Sequence, residues 1–312
     1  MKVFITGGAG NIGSTIADLL LARGDHVLVL DDFSTGKKHH IQDHENLTFV
    51  EGSIVDAELL NKLMTDFQPE AVVHCAASYK DPDDWVTDTM VNSVGGVNVI
   101  QACQKHNVKR TIYFQTALCY GIHPTEHPIT LNHPINPDNS SYAITKTSVE
   151  EVLRLSGIDY VTFRLANVIG PRTVSGPLPI FYQRLKEGKQ CFATKARRDF
   201  IYTPDLAKLV VRAVDGEGNG IYHFSSGSDW AIKDFYDLVA GAMKLDPIPA
   251  PEIKELGADD AASILLDPSR TFADFGEIEF TPMEQAIHDI VAYYDKHGVH
   301  GGYTHLKINK ED

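Results

Sequence analysis

No stretch of this chain approaches the ~18 consecutive apolar residues that a membrane-spanning helix requires. Basic residues are also scarce. The 28 lysines and arginines are outnumbered by 42 aspartates and glutamates, for a formal charge of −14. Such a chain is a poor general binder of nucleic acid or anionic lipid, so any positive field for a phosphate must be local. Only four cysteines occur, Cys75, Cys103, Cys119 and Cys191, with no CxxC spacing, which predicts reduced, buried thiols rather than disulfides. Histidine is plentiful, but His123, His127 and His133 share a Pro-rich loop with no Cys or helical HxxxH partner, so no metal is expected. The opening run Lys2-Val3-Phe4-Ile5-Thr6 reads as a strand with no charged leader or cleavage site before it, and a cytoplasmic location is the expectation.

What is present alternates. Short β-branched runs at Val3–Thr6, His26–Leu30, Leu47–Val50, Ala71–Cys75, Thr111–Gln115 and Tyr160–Leu165 are separated by helical patterns. Those patterns fall at Ile12–Arg23, Ala57–Asp66, Trp85–His106 and Ser141–Leu155. Strands that read as nearly continuous apolar runs are covered on both faces, so the fold class is α/β, a Rossmann-type doubly wound parallel sheet. After about residue 167 the rhythm breaks at Pro171, Pro177 and Pro179. Residues 1–167 are therefore expected to form the dinucleotide-binding domain, with segments near 200–226 returning to it. Residues 168–312 should be mainly a smaller mixed α/β substrate lobe.

Thr6-Gly7-Gly8-Ala9-Gly10-Asn11-Ile12-Gly13 follows the first strand and opens the first helix. Glycines at Gly7, Gly10 and Gly13 permit a tight turn, close approach of backbone to a pyrophosphate, and tight helix–strand packing. Asp31 comes 18 residues after Gly13, where a carboxylate can accept the adenosine ribose hydroxyls and repel the 2′-phosphate of NADP. NAD is the expected cofactor. The plainer alternative makes Asp31 and Asp32 turn formers.

Tyr142-Ala143-Ile144-Thr145-Lys146 places a phenol and an ammonium at i and i+4, on one helix face. There the cation can lower the phenol's pKa, so that Tyr142 takes a proton from a sugar hydroxyl while the carbon beside it gives up hydride. Thr116 closes a strand upstream, where its hydroxyl can hydrogen-bond the reacting oxygen.

At this point the chain resembles the extended short-chain dehydrogenases that epimerise or dehydrate nucleotide sugars, the UDP-glucose 4-epimerase-like enzymes among them. The resemblance covers nearly the whole chain. It rests on Gly7/Gly10/Gly13, Asp31, His74-Cys75-Ala76-Ala77, Asn92, Tyr142/Lys146, Arg164 to Arg172, Arg198 to Tyr202 and Asp267-Pro268-Ser269-Arg270. Ala76–Trp85, Gln115–Gly121 and the terminal GGYTHLK look more narrowly like the WbmF/WbmG type of bacterial O-antigen clusters. The resemblance implies Tyr142 as base, Lys146 as its activator and Thr116 as hydroxyl partner. It places NAD against the Gly loop, Asn11, Ile12, Asp31, Asp32, Ser53, Ile54, Ala76, Ala77 and Asn92, with Asn92 at the nicotinamide end. Asn167, Leu178, Arg197 and Arg198 would meet the substrate, and Phe192 would flank uracil or serve as a core aromatic. It further implies a UDP-sugar substrate and a two-fold homodimer through the helices near Trp85–His106 and Ser141–Leu155, where Val91, Val94, Val97 and Asn98 offer a partly apolar face that core packing would explain equally well.

Three departures bear on chemistry. The family's dehydratases follow the Thr with Asp-Glu, whereas Ala117 and Leu118 stand here and cannot move a proton. Ser53 replaces an acid for the adenine, and Leu256-Gly257-Ala258-Asp259-Asp260 lacks a phosphate-binding Arg. Arg184 to Arg198 carries a net charge of +5, of which Arg197 and Arg198 are expected at the diphosphate, and Arg184, Lys186 and Lys189 on a solvated helix face. The expected reaction is inversion at C4 through a keto sugar. The rivals are a 4,6-dehydratase or keto-sugar reductase on the same scaffold, and a non-catalytic NAD-binding regulatory module. Glucose, an N-acetylhexosamine and a uronic acid all stay open as the sugar, with Lys80 a carboxylate contact for the last.

Overall fold

The computed structural model describes residues 1–79, 81–138, 140–257 and 260–299. Lys80, Asn139, Ala258, Asp259 and the tail from His300 onward lie outside them. Seven strands make one fully parallel sheet: β1 (Lys2–Thr6), β2 (His26–Asp31), β3 (Leu47–Glu51), β4 (Ala71–His74), β5 (Arg110–Thr116), β6 (Tyr160–Leu165) and β11 (Gly220–Phe224). Their spatial order is β3-β2-β1-β4-β5-β6-β11. The order reverses between β1 and β4, and a doubly wound sheet opens its ligand crevice at the carboxyl edge of that point. Phe4, Ile5, Val72, Val73, Ile112 and Val161 have no exposed surface, which is why these strands read as unbroken apolar runs.

One face of the sheet is covered by α1 (Asn11–Ala22) and α7 (Thr203–Val214), with Phe275 from α9 (Ser269–Phe275). The other carries α2 (Ala57–Phe67), α4 (Gly96–Lys105) and α5 (Ser141–Leu155). The helix expected at Trp85–His106 is built in three parts: α3 (Trp85–Asp88), a π-helical stretch Thr89–Gly95, and α4. The paired glycines that follow Val94 explain themselves by packing. A Cβ on Gly95 would lie 2.6 Å from the Ile54 side chain, and one on Gly96 would lie 2.7 Å from Val149.

The remaining elements form a second core. Helices α6 (Pro177–Lys186), α8 (Ile232–Ala242) and α10 (Met283–His297) enclose Leu178, Phe181, Phe235, Tyr236 and Ile287. Short strands line its border with the main sheet: β7 (Asn167–Ile169) pairs with β10 (Phe200–Tyr202), and β8 (Phe192–Thr194) with β13 (Glu252–Lys254). Strand β9 (Arg197–Arg198) lies between β12 (Trp230–Ala231) and β14 (Ser263–Ile264). Besides β11 and α7, helix α9 also packs on the main domain, through Phe275 against Phe163 and Tyr222. Among the described residues no helix is long and apolar enough to cross a membrane, and all four cysteines are unbridged.

Candidate active site

A cleft of about 680 Å³ runs between the carboxyl edge of the sheet and the second core. Its floor begins at the glycine loop. Gly7 has φ +68°, and a Cβ there would come within 2.5 Å of the Ala76 amide nitrogen, so only glycine permits this turn. Helix α1 follows Gly10, its N-cap residue, with no side-chain cap and no acidic residue in its first turn. Its first amides and the positive end of its dipole thus face the cleft unneutralised. Asn11 Oδ1 and Arg172 Nη1 are buried without a hydrogen-bond partner among the described residues. An uncapped helix N-terminus, a glycine cradle and polar atoms left unmatched fit a dinucleotide pyrophosphate.

The acid at the end of β2 has a second task. Asp31 is buried, and its two oxygens accept the Ala9 and Phe33 amides, each at 2.8 Å. Asp31 therefore ties the glycine loop to the β2 turn, and each oxygen keeps a lone pair for another donor. Asp32 accepts the Ser34 amide at 2.9 Å, the turn-former alternative. His40, unanticipated from the sequence, lines the cleft with Nδ1 2.8 Å from the Ala9 carbonyl, and burial pushes its pKa down to about 4.

At the other end Thr116, Tyr142 and Lys146 share the cleft. Ser140 caps α5 by accepting the Ala143 amide at 3.2 Å, which fixes the register that puts Tyr142 and Lys146 on one face. Lys146 is 3% exposed, with its ammonium 4.2 Å from the Tyr113 ring centroid. Burial pushes its pKa down from 10.5 to about 7, while the Glu150 carboxylate one turn on pulls the other way. Thr116 Oγ1 accepts the Leu118 amide at 3.2 Å, leaving its own proton to donate. Ala117 and Leu118 stand on the cleft wall beside it.

Behind these groups runs a buried polar chain. Glu150 accepts from Arg164 Nε at 3.1 Å and Nη2 at 2.5 Å, and Arg164 Nη1 donates to the Tyr120 hydroxyl at 2.6 Å. That hydroxyl is 2.6 Å from His223 Nε2. The chain joins α5, β6, the turn after Thr116 and β11.

The second core supplies the far wall. Asn167, Phe192 and Arg198 line the cleft as expected from the sequence, as do Gly7, Gly10, Asn11, Ile12, Gly13 and Ala77. Both the backbone N–H and Nδ2 of Asn167 donate to the Asp199 carbonyl, which sets Asn167 beside Arg198. Arg198 is largely buried and paired with Asp260, the last residue of the segment that lacks the family's Arg.

Several placements differ from expectation. Arg197 points out of the cleft and pairs with Asp229 at 2.8 Å, because alternate residues of a strand face opposite ways. Asn92 is off the cleft wall, its amide spent on the Ser78 backbone and Thr145. Leu178 is 1% exposed in the second core, and Ile54 packs under Gly95, neither on the wall, nor are Asp31, Asp32, Ser53 and Ala76. Asn98 donates inward to the Ile54 and Val55 carbonyls, so it belongs to no outer face. Conversely, Arg184 lines the cleft, whereas Lys186 and Lys189 are exposed and paired with Asp295 and Glu187. The periodicity of α6 could have shown this, since Arg184 falls one turn from the wall residue Ile180.

The model of the NAD dependent epimerase/dehydratase family matches residues 3–223. The UDP-glucose 4-epimerase of Mycolicibacterium smegmatis is 32% identical over 262 residues, 78% of this chain and 83% of that protein. The Bordetella bronchiseptica enzyme WbmH, solved with NAD+, is similar with a TM-score of 0.93 and 64% identity over 96% of this chain and 99% of that one. WbmG of the same organism, solved with NAD and UDP, gives 0.89 at 41% identity, covering 98% of this chain and 97% of that one.

Proposed function

The chain belongs to the NAD dependent epimerase/dehydratase family and is an NAD-dependent enzyme, and we propose that it inverts C4 of a UDP-sugar. The observation that carries this reading is the composition of the wall around Tyr142. Thr116, Tyr142 and Lys146 are brought together there, while the two residues after Thr116, Ala117 and Leu118, hold nothing able to move a second proton. Relatives of similar architecture named as UDP-glucose 4-epimerases support the class of substrate.

NAD, which the glycine loop and Asp31 would hold, would supply a reversible hydride acceptor for C4. Tyr142 takes the 4-hydroxyl proton and gives it back, with the Lys146 ammonium lowering the energy of the phenolate. Thr116 donates to the reacting oxygen and fixes which hydroxyl is presented. Arg198 and Asn167 hold the diphosphate, a tether remote from the reacting carbon that lets the sugar turn between the two half-reactions. Phe192 flanks the base, with Lys254 Nζ 4.7 Å from its ring centroid. Residues 1–167 with α7 and β11 act as the cofactor domain, and the second core as the substrate lobe.

The assembly belongs to the same reading. Trp85, Val86, Met90 and Val94 are exposed along α3 and the π-helical stretch, and Ile144, Val152 and Leu155 along α5. Contiguous apolar exposure on two adjacent helices fits a two-fold homodimer through this face. Location in the cytoplasm and a role in O-antigen sugar supply are part of the proposal, the latter supported by the likeness to WbmH and WbmG.

Turnover in heavy water tests the chemistry. Given UDP-glucose, UDP-N-acetylglucosamine and UDP-glucuronate in turn, the enzyme should invert C4 of one of them with unchanged mass and no carbon-bound deuterium. A product lighter by one water and deuterated at C5 would make it a dehydratase. Deuterium at C5 without water loss would make it a 5-epimerase.

A further inference from the structure

Asn92 spends both amide hydrogens and accepts one bond inside the protein, and what it holds is the approach to the cleft. Its Oδ1 accepts the Ser78 amide at 2.7 Å, and its Nδ2 donates to the Ser78 carbonyl at 3.0 Å and to Thr145 Oγ1 at 3.1 Å. Thr145 directly precedes Lys146 on α5, and its hydroxyl donates to the Ser141 carbonyl at 2.8 Å. One buried amide thus clamps the backbone after β4 to the helix that carries Tyr142. The residue after the clamped serine is Tyr79. Its ring lies 4.5 Å from the Tyr142 ring, centroid to centroid, tilted by 56°, and it lines the cleft. Arg198 lines the same cleft, so the phenol at the reaction centre, the Tyr79 ring and the cation of the far wall face one space.

We propose that Tyr79 is the specificity-determining wall of the sugar subsite, its ring being the face on which the hexose ring of a UDP-sugar lies between Tyr142 and Arg198. This rests on the reading of the cleft as a UDP-sugar site. The physical case is the kind of contact such a sugar needs. An aromatic face holds the C–H face of a hexose by dispersion and burial, without directional bonds, so it confines the ring and still allows it to turn. Ala117, Leu118 and Ile122 line the same cleft and likewise offer no directional partner. With the preceding Ser78 backbone clamped by Asn92 and its ring packed against that of Tyr142, Tyr79 loses little freedom on binding, so the contact is preorganised.

Calorimetry on the NAD-loaded protein separates this contact from the tether. UDP alone and the UDP-sugars of the heavy-water panel are titrated into wild type, Tyr79→Phe, Tyr79→Leu and Tyr79→Ala. In wild type the preferred UDP-sugar should bind at least tenfold tighter than UDP. Tyr79→Ala should remove about tenfold of that advantage, at about 1.4 kcal/mol per tenfold, while UDP affinity stays within about twofold. Tyr79→Leu should lose severalfold and Tyr79→Phe almost nothing. Retained UDP binding shows that each variant is folded with its tether intact. A sugar advantage unchanged in Tyr79→Ala, or absent from wild type across the panel, would overturn the proposal. A loss in Tyr79→Phe as large as in Tyr79→Ala would overturn it too, since the hydroxyl would then be the contact. Failure of wild type to bind UDP would instead refute the UDP-sugar reading and this inference with it.

Discussion

Lys146 is placed where an ammonium is costly, and replacing it should make the cofactor-free protein more stable. The buried side chain titrates near 7 in the folded state, against 10.5 for the ordinary group. The gap corresponds to about 5 kcal/mol as an upper limit, at about 1.4 kcal/mol per pH unit. The sign follows from proton uptake. Between pH about 7 and 10.5 the unfolded chain holds a proton that the folded chain has released, so wild-type stability rises with pH across that window. Below about 7 both states are protonated and the penalty is fully present. Lys146→Met keeps most of the apolar stem and loses the charge together with its contact with the Tyr113 ring, a contact of about 0.5–2 kcal/mol. At pH 6 the variant should therefore be more stable by about 3 kcal/mol, a gain that shrinks as the pH rises toward 10. Both proteins are prepared free of cofactor by refolding, then unfolded in urea at several pH values and followed by tryptophan fluorescence. Parallel pH dependences in the two would refute the reasoning, because the ammonium would then not be desolvated. The variant should also lose turnover, so that stability is sacrificed here for chemistry.

Tyr142→Phe should keep fold and bound NAD but lose turnover by at least 100-fold, the scale of a missing general base, with Thr116→Val damaging but less so; near-normal rates would assign the base elsewhere. Arg164→Met should cost about 3–5 kcal/mol in urea unfolding because it strands Glu150, which has no exposed surface, and adding Glu150→Met should recover most of the loss; a single variant costing under about 1 kcal/mol would contradict the buried pair. NAD should bind far tighter than NADP, and equal affinities by calorimetry would show that Asp31 does not face the ribose. Light scattering should give a dimer at micromolar concentration, and Leu155→Asp, which charges a side chain 76% exposed on α5, should shift it to monomer; a monomeric wild type would remove the apolar face from the assembly.

Local chemistry alone was enough for much of this protein. Tyr160–Leu165 and Ser141–Leu155 match their sequence-based bounds, since an unbroken apolar run and an amphipathic run opened by Ser140 each state their own limits. The glycine loop and the i, i+4 pair are equally local, because tight turns and helix faces depend on near neighbours. What spacing cannot carry is the direction of a side chain at a place where chain segments distant in sequence meet. Arg197 and Arg198 read alike as a basic pair, and the pairing of β9 with β12 and β14 turned one toward Asp229 and the other into the cleft. The family resemblance put Asn92 at the nicotinamide end, and only the packing of the π-helical stretch against α5 showed its amide bonded to Ser78 and Thr145. Tyr79 drew no notice in the sequence, being one tyrosine among 12. Its place beside Tyr142 comes from a clamp between residues 14 and 53 positions apart, a relation that exists only once the chain is folded.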